Sequence, residues 1–377
     1  MTILFTFITA IYVIFISALY IAYSKVKAFK LKSEKPISRF SVVVPFRNEV
    51  TNMEALLESL KALDYPKTLF EIILVDDDSE DNSVQIIESF LENNQREELN
   101  ISILKNQRHS NSPKKDAIET AISLSKFEWI ITTDADCVVP KLWLEAFDAF
   151  IQKKAPKLIV APVGYKISNS ILDYFQLHDF LSLQTATVGG FGIGNPFLCN
   201  GANLCYSKPI FKELNGFEGN TNIASGDDLF FMEKVAKDYQ KDIHFLKSKN
   251  AIIYTKPEVS LKALFNQRVR WSSKISAYNN LFSKALALVV LLMNASLIVG
   301  LAFSFFGLLS WQFLCVLFVI KFSIDFLFIF RSSNFFNQNS SLKLYPLNSL
   351  MYPFFVVAVS CYAMFFNYKW KGRSFKK

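Results

Sequence analysis

Hydrophobic and polar positions follow two patterns along this chain, each in its own region. Three long, strongly apolar stretches carry no charge: Thr2–Ser24, Ala285–Ile320 and Leu344–Tyr368. A bilayer core takes about 20 apolar residues per helical crossing. The first stretch therefore predicts one spanning helix, and the second opens a helical hairpin that continues to about Phe330. The third predicts one more crossing, because prolines such as Pro346 and Pro353 are tolerated in membrane helices. Residues 38–280 instead alternate short apolar runs with segments of helical spacing. Ser41–Pro45, Phe70–Val75, Ile101–Leu104 and Trp129–Thr133 read as buried strands. Glu49–Leu63 reads as a helix on the spacing of Met53, Leu56, Leu57 and Leu60, and Asn82–Leu91 and Lys114–Ser125 follow suit. This alternation predicts an α/β domain on a mostly parallel sheet with helices on both faces.

Two later segments are amphipathic. Ile171–Val188 carries Leu172, Phe175, Phe180 and Leu183, and packing is its expected role. Leu261–Phe282 mixes Leu264, Phe265, Val269 and Trp271 with Arg268, Arg270 and Lys274. It suits a helix in the headgroup region with its basic residues outward. Gly189–Gly194 has the glycine spacing of a dinucleotide fingerprint, but no strand precedes it, so a pliable loop is expected. The expected organisation is an N-terminal membrane helix (1–24), one cytoplasmic domain (38–280), a membrane region of about three segments (285–368) and a basic tail (369–377). The first helix lacks a basic n-region and a small-x-small cleavage site, which favours a retained anchor over a signal peptide.

The net charge of +8 invites a nucleic-acid reading, and its distribution removes it. Lys25–Lys35 contributes +4 and Lys369–Lys377 contributes +5, so the rest of the chain nets −1. Such clusters mark cytoplasmic membrane flanks and touch anionic lipid. The chain is thus expected in the cytoplasmic (inner) membrane with its catalytic domain in the cytoplasm. Five cysteines without a Cys-x-x-Cys pair suit a reducing compartment and suggest neither disulfides nor zinc. The three histidines lack ligand spacing and read as structural.

Chemistry-bearing residues gather where the predicted strands end, which is where open α/β sheets bind ligands. The fourth strand runs into Asp134-Ala135-Asp136, two carboxylates able to hold a hard divalent cation that in turn holds a diphosphate. A solvated turn is the plainer explanation, since Asp is common in turns. The second strand ends in Asp76-Asp77-Asp78, whose mutual repulsion calls for donors such as ribose hydroxyls and base N–H groups, or for a cation. Helix capping by Asp81 or Asn82 explains part of the same run. Lys114 and Lys115 open a helix against the macrodipole preference for anions, which a bound phosphate would justify, although a solvated pair explains them nearly as well. Lys321 and Asp325, four apart in an apolar helix, predict an ion pair.

Taken in order, Val42-Val-Val-Pro45-x-Arg47-Asn-Glu49, Val75-Asp-Asp-x-Ser-x-Asp81, Lys114-Lys-x-Ala-Ile118, Asp134-Ala-Asp136, Gly226-Asp-Asp228 and Gln267-Arg-Val-Arg-Trp271 resemble a membrane-bound family 2 glycosyltransferase, over roughly Ser38–Trp271. The last motif is similar to the signature of ceramide glucosyltransferase and of hyaluronan, cellulose and poly-N-acetylglucosamine synthases. The resemblance implies a GT-A fold, a UDP- or GDP-sugar donor, a divalent metal (Mg²⁺ or Mn²⁺) and inversion at the anomeric carbon.

Carried over residue by residue, the resemblance makes Asp228 the general base, its carboxylate neighbours poising it toward a usable pKa. Asp227 stands where the family usually has Glu, which leaves its own role open. Asp136, with Asp134, would hold the metal. Pro45, Arg47, Glu49, Asp76 and Asp77 would hold base and ribose, and Lys114, Asp134 and Arg270 the diphosphate. Asn200, Gly201, Gln267 and Trp271 would meet donor sugar and acceptor, although Asn200 and Gly201 fit a core strand with a glycine bulge equally well. The acceptor implied is a membrane lipid or lipid-linked glycan. A processive polysaccharide synthase is the nearest alternative; a membrane nucleotidyltransferase and a non-catalytic scaffold are alternatives of other classes. Parity of four crossings puts the tail outside and its charge puts it inside, a conflict that a broken or re-entrant last helix would resolve.

Overall fold

The computed structural model describes residues 1–32, 34–94, 99–223, 225–370 and 373–375. In chain order the elements are α1 (Thr2–Tyr23), β1 (Phe40–Phe46), α2 (Met53–Lys61), β2 (Phe70–Asp76), α3 (Ser83–Asn93), β3 (Ile101–Lys105), α4 (Pro113–Leu124) and β4 (Trp129–Thr132). Next come α5 (Trp143–Lys154), β5 (Leu158–Val160), β6 (Val163–Tyr165), α6 (Ile171–Gly192), β7 (Leu204–Ser207), α7 (Lys208–Glu213), α8 (Asp227–Tyr239), β8 (Ile243–Phe245) and β9 (Ile253–Thr255). The chain closes with α9 (Leu261–Ser272), α10 (Leu281–Phe305), α11 (Trp311–Phe335), α12 (Tyr345–Phe365), β10 (Tyr368–Trp370) and β11 (Arg373–Phe375). Lys371, Gly372, Lys376 and Lys377 of the basic tail lie outside the described residues.

Two compact units divide the chain. One comprises residues 27–166 and 199–256, the other residues 1–26, 167–198 and 257–377. Segments 167–198 and 257–280, expected in one domain with the strands, thus group with the apolar helices.

The first unit holds a seven-stranded sheet in the order β3-β2-β1-β4-β7-β5-β8. The four strands foreseen in the sequence are its parallel half, although β3, expected to be buried, is an edge strand with half-buried and exposed residues; β7 runs antiparallel to both β4 and β5. β1 and β2 are almost continuously buried, as their unbroken apolar runs dictate. Pro45 lies past the last β1–β4 pairing, Val43 with Thr132, so on that side its missing N–H forfeits no ladder bond. The order turns at β1: the chain steps outward to β2 and β3, then returns to place β4 on the other side. The carboxyl ends of β1 and β4 therefore flank a switch point, the standard ligand position in open α/β sheets.

In the second unit, α1, α10, α11 and the stretch Asn339–Phe365 around α12 are each long and apolar enough to cross a membrane. Their outward positions carry exposed Ile3, Phe7, Ile14, Leu288, Val299, Val316 and Phe354. Phe5, Tyr12, Ile16 and Leu19 of α1 pack with Met293 and Leu297 of α10 and with Leu314, Leu317 and Phe328 of α11. The Lys321–Asp325 pair forms at 2.5 Å, and Asp325 also accepts the Tyr12 hydroxyl.

Four expectations need correction. Gly189–Gly194 is not a loop: α6 continues through Gly192, and the turn comes at Gly194, φ +74°. The glycines are there for α1. A Cβ at Gly189 would stand 2.7 Å from the Leu19 carbonyl oxygen, and one at Gly192 1.9 Å from that of Ala22. Nor is α6 amphipathic, since its buried residues lie all round it, as in a helix enclosed on every side. The segment Leu261–Phe282 is not one helix. α9 ends at Ser272, a 3-10 turn follows, and Asn280 caps α10 by accepting the Ser283 N–H. Finally, α12 is continuous, with Pro346 in its first turn and Pro353 inside it. The broken helix that would reconcile the tail's charge with parity is not found.

Gly192→Val is expected to force α1 off α6, at a cost of about 1–3 kcal/mol, as overpacking typically does. Thermal unfolding of the purified protein in detergent measures it. An unchanged midpoint would mean that α1 shifts freely and that the glycines are incidental.

Candidate active site

Asp134 follows β4 directly, and its Oδ1 accepts from Lys114 Nζ at 2.7 Å. Lys114, on the first turn of α4, also lies 3.5 Å from Asp227 Oδ2 at the start of α8. One ammonium thus joins the end of a strand to the acid pair. Burial alone would lower the Lys114 pKa, but Asp134 and Asp227 outweigh it and hold the group firmly protonated. In this structure Lys114 neutralises carboxylates, which is more than the phosphate role expected of it.

Asp228 is fixed through both oxygens. Oδ2 accepts the Gly201 N–H at 2.8 Å and Oδ1 its neighbour's, Leu229 N–H, at 2.7 Å. Gly201 is in turn held to β4, its carbonyl accepting from Thr132 Oγ1 at 2.6 Å. Glycine leaves room for the acid pair: a Cβ there would come within 2.9 Å of Asp227 Oδ2 and 3.3 Å of the Asp228 Cβ, so the acids would have to shift. Asn200 accepts the Ala202 N–H and caps the short turn that carries Gly201. Asn200 and Gly201 therefore shape the backbone under the acid pair.

Asp136 has a different environment. Burial first, then the charges of Asp134 and Glu49, push its carboxyl pKa up. Lys114 is engaged with Asp134 and Asp227, and the upward shift of Asp136 is opposed by Thr255 and by the weak thiol donor Cys137 Sγ at 3.6 Å. Clustered, partly buried carboxylates of this kind are the donor type that a hard divalent cation takes.

The loops after β1 and β2 are stapled together. Arg47 donates to the Asp77 carbonyl at 2.9 Å and to Glu80 at 2.8 Å. Asn48 N–H donates to Ser79 Oγ, Glu49 N–H to Ser83 Oγ and Val50 N–H to Asp81 Oδ2. Asp76 Oδ1 accepts the Ser79 N–H. Asp77 is buried and held by Arg108 Nε at 2.6 Å and Asn106 Nδ2 at 2.7 Å. The repulsion expected among three aspartates is therefore relieved partly from within, by an arginine the sequence did not single out.

His109 Nε2 lies 2.9 Å from Glu119 and 3.4 Å from Asp116, ligand-type atoms gathered within 4.8 Å. Asp116 already accepts from Ser110 Oγ at 2.6 Å and from the His109 and Ser110 N–H groups. This triad ties the loop after β3 to α4.

Gln267, Arg270 and Trp271 belong to the other unit, on α9. Gln267 Nε2 donates to Glu258 at 2.8 Å, and Gln176 of α6 closes on the Glu258 main chain through two hydrogen bonds. Arg268 faces inward, contrary to the expected outward basic face. Its Nε donates to Asp179 of α6 at 2.5 Å, and its guanidinium stands 4.1 Å from the Trp271 ring centroid and bonds Gln267. Tyr352 of α12 donates to the second Asp179 oxygen at 3.0 Å. Gln176, Asp179 and Tyr352 went unnoticed in the sequence. Charged and amide side chains spaced among the apolar residues of α6 were the available signal.

Residues 41–214 match the model of glycosyl transferase family 2, and residues 129–368, more than half of the chain, match that of glycosyl transferase family group 2. A poly-β-1,6-N-acetyl-D-glucosamine synthase of Staphylococcus epidermidis is 24% identical over 68% of this chain and 60% of its own length. An undecaprenyl-phosphate 4-deoxy-4-formamido-L-arabinose transferase of Serratia proteamaculans is 32% identical over 36% of this chain and 38% of its own. The chain spans as little as 19% of one curated relative, a poly(ribitol-phosphate) β-N-acetylglucosaminyltransferase of Staphylococcus aureus, 34% identical over 30% of this chain. Among solved structures, the mannosyltransferase PcManGT of Pyrobaculum calidifontis, in complex with GDP-Man and Mn²⁺, superposes with a TM-score of 0.60 at 15% identity. That match covers 97% of this chain and 99% of the other, and it shows a shared GT-A fold. Because the family group 2 model spans more than half of its length, the chain belongs to glycosyl transferase family group 2.

Proposed function

We propose that the chain is an inverting glycosyltransferase, moving a sugar from a UDP- or GDP-sugar to a membrane lipid or lipid-linked glycan. The carrying observation is Asp228, aimed by the Gly201 and Leu229 N–H groups beside the Lys114–Asp134–Asp227 cluster. Inversion is one displacement: the acceptor oxygen bonds the anomeric carbon as the bond from that carbon to the diphosphate oxygen breaks. Asp228 takes the acceptor hydroxyl's proton, and its fixed carboxylate needs no reorganisation to do so. Lys114 balances the acids before the diphosphate arrives and faces its negative charge afterwards. Asp136, with Asp134, would hold Mg²⁺ or Mn²⁺, which when bound supplies Lewis-acid stabilisation of the leaving group. Asp76, with the stapled loops of Arg47 and Glu49, would contact base and ribose. Roles for Arg270 on the diphosphate and Trp271 on an acceptor rest on the motif.

The four apolar helices support an integral membrane protein, in the inner (cytoplasmic) membrane with the sheet-bearing unit in the cytoplasm. They leave little room for a polymer channel, which favours single transfer over processive synthesis. A donor screen on membranes containing the protein, reading released UDP or GDP, followed by mass spectrometry of the lipid extract, tests the whole reading. No nucleotide release with any donor, or a long polysaccharide from the purified protein, would count against it.

Asp136→Ala is expected to weaken metal-dependent nucleotide binding. Titrating Mn²⁺ against the fluorescence of a bound nucleotide analogue measures this, and an unchanged metal response would place the cation elsewhere.

A further inference from the structure

We propose that Lys115 is a positioning residue for the acid pair, clamping the chain on both sides of Asp227 and Asp228. The proposal rests on the glycosyltransferase reading of Asp228. Lysine is almost never fully buried unless its charge is met, yet Lys115 is 1% exposed. Its Nζ donates to the main-chain oxygens of Asn220 at 2.6 Å and Ile223 at 2.9 Å. The same ammonium stands 5.1 Å from the centroid of the Phe230 ring.

Asn220 and Ile223 precede the acid pair, and Phe230 follows it on the first turn of α8. One cation thus grips both sides of the two-residue stretch that carries the chemistry. The grip matters because α8 begins without the usual fastening. Its N-cap is Gly226, at φ +84°, with no side chain to accept an N–H. A glycine in that conformation leaves the approach to Asp227 free to swing unless something else holds it. Lys115 supplies the hold from α4, a helix packed on β1 and β2.

Neighbouring lysines on α4 therefore divide the work. Lys114 meets the carboxylates of Asp134 and Asp227, and Lys115 meets the backbone that leads to them. Burial lowers the Lys115 pKa to about 8, opposed by Asp227 and Asp228 of α8 and by Glu119 and Asp116 of α4. The position is one where a charge is retained at a cost.

The test compares wild type, Lys115→Met and Lys115→Arg in three measurements: turnover, donor KM and hydrogen exchange of amides 217–223. Methionine fills the volume without a donor. It is expected to lower kcat by about 10²-fold, the scale of a 1 Å misplacement, while donor KM stays near wild type and exchange over 217–223 rises. Arginine, still a donor, is expected to recover part of kcat. Near wild-type turnover in the methionine variant overturns the proposal. So does a fall in donor affinity matching the fall in kcat, in the arginine variant as well should methionine prevent folding, because that marks a general lesion. Should wild type itself transfer no sugar, the enzymatic reading fails, and exchange alone then decides whether Lys115 holds the loop: unchanged exchange in the methionine variant rejects it.

Discussion

Asp228→Asn is expected to lower sugar transfer by about 10²–10⁴-fold, the usual cost of losing a general base, with nucleotide affinity close to wild type. The amide keeps the side chain's shape, and its oxygen can still accept the Gly201 N–H that holds the carboxylate at 2.8 Å. The second bond does not survive unchanged, because an amide N–H₂ cannot accept the Leu229 N–H where Oδ1 now does so at 2.7 Å. A small rotation is the expected structural price, whereas removal of the proton acceptor is the chemical one. Turnover and nucleotide affinity should be measured on the same preparation, since only their divergence isolates the base. Turnover close to wild type would remove Asp228 from the chemistry and turn attention to Asp227.

The largest expected effect on stability comes from the other unit. Asp179→Ala strips the buried Arg268 of its carboxylate; the two side chains are 8% and 6% exposed and 2.5 Å apart. Breaking a buried ion pair from one side typically costs about 3–5 kcal/mol, and replacing both partners with apolar residues of similar size is often neutral. Asp179→Ala should therefore lower the unfolding midpoint in detergent sharply, and the double variant Asp179→Leu, Arg268→Met should regain most of it. Tyr352 also loses its acceptor in both variants, so Tyr352→Phe alone serves as the control for that contact. Equal midpoints for the single and double variants would show that the pair carries no coupling of its own.

What the sequence revealed, and what it hid, follows from the range of the interactions. β1, β2 and β4 were legible because a strand buried on both faces must be continuously apolar, whereas β3, half-exposed at the sheet edge, was legible only as a short apolar run. The acids were legible because parallel strands deliver their loops to one edge, so Asp76, Asp134 and Asp136 announce a site by their place after each run. β7 was not, because Leu204–Ser207 is four residues of ordinary core sequence whose antiparallel seat between β4 and β5 is settled by distant partners. Gly189 and Gly192 were misjudged for a related reason: glycine disfavours helix locally, and only the approach of α1 explains its presence. The partners of Asp77 and Lys115 were hidden as well, because Arg108 was not singled out and the carbonyls of Asn220 and Ile223 come from a segment remote from Lys115 in sequence.

The seat of β7 also governs how the protein can be assembled during synthesis. Until residue 207 emerges, β4 has an open edge and β5 has no neighbour before it, so the sheet exists as a four-stranded half and a stray strand. The strand that joins them is translated after α6, whose 22 residues belong to the unit of apolar helices. A nascent chain halted near residue 166 thus presents the unpaired edge of β4, a template for pairing with other chains. It also lacks Gly201, Asp227 and Asp228. An expression fragment trimmed to that length should aggregate rather than fold, and a catalytically complete sheet should appear only after the ribosome has delivered both α6 and β7.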